Sequence, residues 1–582
     1  MRASFVTYVT DNKFPFRLLA DKITAKHRKR HIMGVRVPIW DINMSRINRD
    51  IYVRHSAVGY GSGEAIADHL LENLKSFGFP LPNIRKHLCG MALDGQYTCL
   101  HVDTHMNDKL KKSINLSWDP MHRIELATKD SNLIDDAKFI KNTLSVIHNT
   151  FSTFRVGNNF EILYSEKELC ETFFSPKFFK DMKFVTYSTE VFRSFINDFK
   201  ALVSSADKLD KGGDDIKKNI SDTNFLMNML FLADVNCFLS KFSKMVQISS
   251  NVPWEYSDSV DYMMGQLDLI LDQIVFIRNK VETTGNFEGI LTELSIDHFS
   301  FFKTATDILA KTEYQGIKLN QSRDQRQLRN DNTPTVATEQ FKQLINFGAR
   351  YLGALRDNLT SRFDGDTMKL CRKFGRLLDP TPYFFPTNRF ITDKPFLNLT
   401  SFVEFVSGIP FIARRDDDFI QTICFQVQEM RKVMLEVIKS LRTTGSYEQM
   451  NTVKFLKQVY SKLDSDSMAE VKYFLSCIIT FPVSEAIVES WGSVIDEVIA
   501  DKVAFKESTG DDADITEKLV FIKVAGPSAG AASNRKLLKR ALTLMYKGSD
   551  YAKHFLRPHG KGYTSKVITK ITSREEQNTL FQ

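Results

Sequence analysis

Across the first 60 positions, apolar residues recur at every second place or in short unbroken runs, which is the pattern of strands rather than helices. Phe16–Thr24, His31–Trp40 and Ile47–His55 each read as a strand, and the links Ala25–Arg30 and Asp41–Arg46 are short and polar. Strands joined so closely predict an antiparallel meander. Past Gly61-Ser62-Gly63 the period changes. Ile66, Leu70, Leu71, Leu74 and Phe77 fall on one face of a helix over Glu64–Phe77, closed by Gly78-Phe79-Pro80. Leu88–Asp94 then reads as a short buried strand ending on an acid, Gln96–Lys112 as a helix and Asn115–Trp118 as a further extended run.

The element order β-β-β-α-β-α-β, a meander followed by α/β crossovers, is that of the ribonuclease H fold. From Ile124 onward the period is helical almost throughout. Ile124–Phe154, Phe192–Ala206, Phe225–Ile248, Val260–Val281, Ala337–Asn358, Asp417–Leu441 and Val453–Leu463 all carry apolar residues at i, i+3, i+4 spacing. Thr223–Gln247 is the most apolar and reads as a core helix. Polar breaks at 204–222 and 321–335 and the Asp379-Pro380 step mark boundaries. The predicted class is therefore an α/β ribonuclease H-like core interrupted by a large all-α insertion. The first part of the core covers 1–130, the mainly α-helical insertion 131–450, a dimerisation-like segment closing the core 451–505, and a basic extension 506–582. The many Phe residues and Trp254 read as core positions on helix stripes, with stacking on nucleic-acid bases as the alternative.

Composition changes this picture in two ways. With 43% hydrophobic and 25% charged residues, the 582-residue chain is that of a folded protein of several domains. Its seven cysteines are scattered, with no pair at zinc-ribbon or finger spacing, which excludes a disulfide framework and predicts no zinc site. No run of apolar residues approaches a membrane span, and nothing at the N-terminus resembles a signal core. The net charge of +8 is unevenly spread. Residues 1–60 hold 12 Lys and Arg against 4 Asp and Glu, residues 535–582 hold 11 against 3, and the acidic middle holds 55 against 63. Basic ends are expected to meet a polyanion or to serve nuclear import. Lys26, Arg28, Lys29 and Arg30 form the densest cluster and are the candidate phosphate contacts; a solvated turn is the bland alternative. A basic face near Asp21 and Asp94 is the corresponding expectation for the folded molecule.

The candidate chemistry sits in two acids. Asp21 interrupts the apolar run Leu18-Leu19-Ala20, and Asp94 ends Met91-Ala92-Leu93. A carboxylate at such a place is costly unless it is capped, paired or bound to a metal. At this point the sequence resembles the hAT superfamily of DNA transposases and their domesticated relatives. Asp21-Lys22-Ile23-Thr24 with His31-Ile32-Met33-Gly34-Val35 is similar to that family's first block, and Asp94, 73 residues on, to its second aspartate. Trp118-Asp119-Pro120-Met121-His122-Arg123-Ile124-Glu125-Leu126-Ala127 resembles its C-x-x-H-x-L-x-L segment, with Asp119 in place of the cysteine. Phe481–Ser493 resembles P-x-S-x-A-x-x-E-R-x-F-S, which matches Glu489 to the glutamate that completes the triad; Ser490 stands where the family has arginine. By periodicity alone, Glu489 lies on the polar face of a helix starting at Ser484, with Glu485 one turn earlier as the substitute.

The resemblance implies a two-metal site of Asp21, Asp94 and Glu489 holding Mg²⁺ or Mn²⁺, and DNA strand cleavage and transfer as the ancestral chemistry. It also implies that His122 either orders the neighbouring loop or approaches the scissile phosphate, with a packed structural histidine as the alternative. The expected partner is DNA, the expected oligomer is formed through the C-terminal helices, no membrane is involved, and the expected location is the nucleus. No finger of the BED type occurs in this chain. The eroded third block leaves open a second reading, a domesticated inactive dimerising module that binds chromatin or protein.

Overall fold

The computed structural model of the chain describes residues 2–484 apart from 26–29, 42–45, 58–60, 135–137, 156, 178–183, 250–251, 285–298, 301, 303, 306–307, 309–310, 321–334, 381–398, 410–416, 446–450 and 465. Two compact units are distinguished. One comprises Met1–Asp21, Val37–Asp50 and Tyr60–Ile487, the other Lys22–Arg36, Ile51–Gly59 and Val488–Gln582. Of the second unit the described residues are parts of three strands. Lys26, Arg28 and Lys29, Glu485, Glu489 and the basic extension lie outside the described residues, so the charge distribution expected from them does too; Arg30 opens a strand.

The sheet has five strands, β1 (Phe16–Ala25), β2 (Arg30–Asp41), β3 (Arg46–Ala57), β4 (Leu88–Leu93) and β5 (Asn115–Trp118), in the order β3-β2-β1-β4-β5. The strand boundaries fall within two residues of those read from the sequence. β1 and β4 are parallel, as are β4 and β5. Their central residues are closed off on both faces: Phe16 to Ala20 and Leu88 to Leu93 are all buried, as expected for parallel strands covered on both sides. Two helices were not legible in the sequence. α1 (Arg2–Asp11) precedes β1, and α3 (Leu81–His87), which begins with proline in its first turn, runs straight into β4. α2 (Gly63–Phe77) follows the expectation, with Ser62 accepting from the Ala65 amide and Gly78 at φ 118° ending it. The helix expected over Gln96–Lys112 is two helices, α4 (Gly95–Cys99) and α5 (Val102–Leu110), broken where His101 takes a left-handed conformation.

The expected helix Ile124–Phe154 is likewise two, α6 (Pro120–Ser131) and α7 (Lys138–Phe154). Beyond them follow α8 (Asn158–Ser165), α9 (Phe184–Ala206), α10 (Gly213–Ile220), α11 (Thr223–Ser249) and α12 (Pro253–Thr284). A two-residue-per-strand hairpin, Glu313–Tyr314 and Ile317–Lys318, turns on Gln315 and Gly316, both at positive φ. Then come α13 (Thr335–Phe363), α14 (Asp366–Leu378), α15 (Leu399–Ser407), α16 (Asp417–Thr444), α17 (Thr452–Lys462) and α18 (Ala469–Ile479). α12 packs on α13 and α14, and α11 on α9 and α12.

The helical body is where most aromatic residues go. Phe231 meets the rings of Phe299, Phe302, Phe347 and Tyr351, and Trp254 is 1% exposed. The stretch Thr223–Gln247 within α11 is long and apolar enough to cross a membrane, in contrast to the reading from the sequence, and 83% of its most apolar 18-residue window is buried in the protein. A mostly buried core helix passes the same test of length and composition. The described part of the expected dimerisation segment also faces inward: α17 and α18 pack on α16 of the same chain, and Val471, Phe474, Leu475, Ile478 and Ile479 are fully buried.

Candidate functional site

The register of the parallel strands sets up the site. Ala20 pairs with Leu93 across β1 and β4, and Leu93 pairs with Trp118 across β4 and β5. One position further on come Asp21, within β1, and Asp94 and Asp119, which immediately follow β4 and β5, on strands spaced about 4.8 Å apart. Asp21 and Asp94, singled out in the sequence on strands one and four, are therefore neighbours.

The three acids differ in what surrounds them. Asp119 is fully buried and caps α6: one carboxylate oxygen accepts from the amides of Met121, at 2.9 Å, and His122, at 3.4 Å. Its other oxygen accepts from the Ser484 hydroxyl at 2.9 Å. Asp119-Pro120 is an N-cap residue followed by proline at the first helical position, which is a legible helix start. That signal would have placed the start of α6 and identified Asp119 as structural. Asp94 and Asp21 are only partly buried. One Asp94 oxygen takes the Gly95 amide, and the same oxygen lies 3.6 Å from His122 Nε2.

His122 stands on the first turn of α6 and not in a loop. It keeps 27% of its side-chain surface exposed and has a carboxylate at each nitrogen, since Nδ1 lies 3.9 Å from Glu125 Oε2. Glu125 was missed as a functional residue, although its i+3 relation to His122 on a helix is the signal that finds it. Both contacts are ionic only when the imidazole is protonated.

α6 is held rigidly. It packs on α11 and α13, and Arg123 reaches across to donate to the Arg362 carbonyl at 2.8 Å while lying over the Trp118 and Phe363 rings. Asp130 pairs with Arg362, and Asn358 donates to Ser131 at 3.0 Å. The indole of Trp118 lies so close over Gly95 that a Cβ there would stand 2.4 Å from the ring. The glycine after Asp94 is thus required for the indole to pack against the strand end.

Residues 481–484 run along the same strands. Arg17 donates to the Phe481 carbonyl at 2.9 Å, and Ser117 donates to the Pro482 carbonyl at 2.5 Å. Gly90 makes room for them, because a Cβ on it would meet Pro482 Cγ at 2.8 Å and the Asn115 carbonyl at 2.7 Å. Glu489 follows Ser484 by five residues in the sequence and lies outside the described residues.

As a donor set, Asp21 and Asp94 offer oxygen ligands of the kind hard divalent cations prefer. Asp119 is excluded by its cap. Among the described residues there is no group of three or more His, Cys, Asp or Glu able to hold a metal. Compared with known proteins, the chain matches no family model and no curated protein.

Proposed function

We propose that this protein is a transposase-derived, nucleic-acid-binding protein with a ribonuclease H-like core, located in the nucleus, whose ancestral chemistry is metal-assisted DNA strand cleavage and transfer. The observation that carries the reading is that Asp21 and Asp94 each follow directly on Ala20 and Leu93, which are paired across the neighbouring parallel strands β1 and β4. Both acids interrupt or end apolar strands in the sequence, and β1 and β4 are the pair that the fold sets side by side. Bound there, Mg²⁺ or Mn²⁺ would activate a water or hydroxyl and stabilise the leaving oxygen of a phosphodiester. In this reading Asp21, Asp94 and Glu489 hold the ions. His122, between Asp94 and Glu125, orients the Asp94 carboxylate and offsets its charge when protonated. Lys26, Arg28, Lys29 and Arg30 contact DNA phosphates.

A second reading rests on the same residues. The Asp94–His122–Glu125 contacts and the Asp119 cap form a polar network that needs no metal, as expected of an inactive interaction module that keeps the fold and has lost the chemistry. A nicking assay on supercoiled DNA separates the two. Mg²⁺- or Mn²⁺-dependent nicking by the wild type, falling at least about 100-fold in Asp94→Ala, supports the catalytic reading. Equal nicking by both proteins removes Asp94 from the mechanism, and none by either favours the inactive module.

A further inference from the structure

α12 buries one face against α13 and α14 and leaves another outward. On that outward face Tyr262, Leu269 and Phe276 are 53%, 54% and 51% exposed. They are seven residues apart, and a seven-residue apolar repeat keeps its side chains along one seam of a helix. Isolated apolar residues on a surface are ordinary, but three large ones aligned over two heptads form a continuous stripe. Between the first two lies Gly265, whose Cβ position is open to solvent, with nothing within 4 Å. A second helix therefore has room to approach closely there.

The charges at the two ends of the stripe identify the partner. Asp258, one turn before Tyr262 on the same face, is exposed in surface area, but burial of its carboxyl and the neighbouring charges of Asp379, Asp261 and Glu255 raise its pKa to about 7, so its pairing with a cation is complete only above neutrality. Arg372, the nearby cation, is committed to Asp261 at 2.7 Å. At the other end, one turn past Phe276, Lys280 lies over the Phe276 ring with its ammonium 5.9 Å from the centroid. The acidic end and the basic end are equidistant from Leu269, being 11 residues before and after it. Two such helices side by side in parallel would set Asp258 against Asp258 and Lys280 against Lys280. Antiparallel, they set each Asp258 against a Lys280, each Tyr262 against a Phe276, and Leu269 against itself. This is the self-complementary pattern of a twofold interface.

We propose that the Asp258–Lys280 stripe of α12 is a self-association surface on which a second copy of this chain docks antiparallel, with the twofold axis at Leu269. This interface is distinct from the C-terminal helices, and it stands whether or not Asp21 and Asp94 bind a metal. The stripe is short, so the dimer is a weak one.

Sedimentation velocity on the full chain tests it. The wild type should show a concentration-dependent monomer–dimer equilibrium, and Leu269→Asp should be monomeric up to ~100 µM. Asp258→Lys and Lys280→Asp should each weaken the dimer about 10-fold, and the double exchange Asp258→Lys with Lys280→Asp should restore it. All of these positions are at the surface, and an unchanged far-UV spectrum shows that each variant is folded. A wild type that stays monomeric over the same range, or a dimer that survives Leu269→Asp, overturns the proposal. A double exchange no better than the single ones overturns the antiparallel arrangement.

Discussion

Asp119→Ala is expected to lower stability by about 2–5 kcal/mol. Losing an N-cap side chain costs about 1–2 kcal/mol, and leaving its buried partners without an acceptor adds about 1–3 kcal/mol. Those partners are the Met121 and His122 amides and the Ser484 hydroxyl. Asp119→Asn keeps a capping oxygen and should lose less than half as much. Urea unfolding of the two variants and the wild type checks this; a loss below about 1 kcal/mol for the alanine variant would mean that the cap does not hold α6. The effect bears on the site because α6 carries His122 and Glu125.

Asp198→Asn is expected to change the pH dependence of stability strongly. Asp198 lies on α9, is fully buried, and accepts from the Phe174 amide at 3.1 Å, with the Ser194 hydroxyl 3.5 Å away. Burial pushes its carboxyl up from 3.8 to about 7, against the hydrogen bonds from Phe174, Cys170 and Ser194. The Cys170 thiol beside it is raised to about 11, first by burial and then by the Asp198 charge. A carboxyl whose folded value lies above its unfolded one keeps its proton in the folded state while the unfolded chain has already lost it. Its contribution to stability is therefore complete below pH 3.8 and is lost as the pH rises to about 7, a fall of up to about 4 kcal/mol at 1.36 kcal/mol per unit. The asparagine imitates the neutral form and does not titrate. The variant should match the wild type near pH 4 and become progressively more stable than it towards neutrality, by up to about 4 kcal/mol. Urea unfolding at several pH values reads the difference directly, and a difference that does not vary with pH would show that the Asp198 carboxyl is not raised in the folded protein.

The legible parts of this structure are those fixed by local periodicity. β1, β4 and β5 were readable because their residues are apolar and bounded by turns, and the long helices because their stripes repeat. The breaks inside helical runs were not. Leu133 is 72% exposed just past α6, yet in the sequence an apolar residue there prolongs the stripe and hides the break that follows. α3 was hidden by the prolines around it, although proline is well tolerated in a first helical turn. In the site, Asp21 and Asp94 were legible because an acid inside or ending an apolar strand needs a reason. The His122–Asp94 contact was not, since it joins residues 28 apart through the register of β4 and β5. Nor was the bond from Ser484 to Asp119, which spans 365 residues. Such contacts are set by how the elements pack, and no pattern along the chain encodes them.

The proposal that Asp21 and Asp94 hold a divalent cation together is tested most directly by Mn²⁺ binding to the full chain, followed by electron paramagnetic resonance, which requires no reaction. The account predicts that the wild type binds Mn²⁺ and that Asp21→Asn and Asp94→Asn each weaken it by at least about 10-fold, while Asp119→Asn, whose carboxylate is occupied by its cap, binds as the wild type does. Equal affinity in the wild type and both strand-end variants, or no binding up to ~1 mM Mn²⁺, would contradict it.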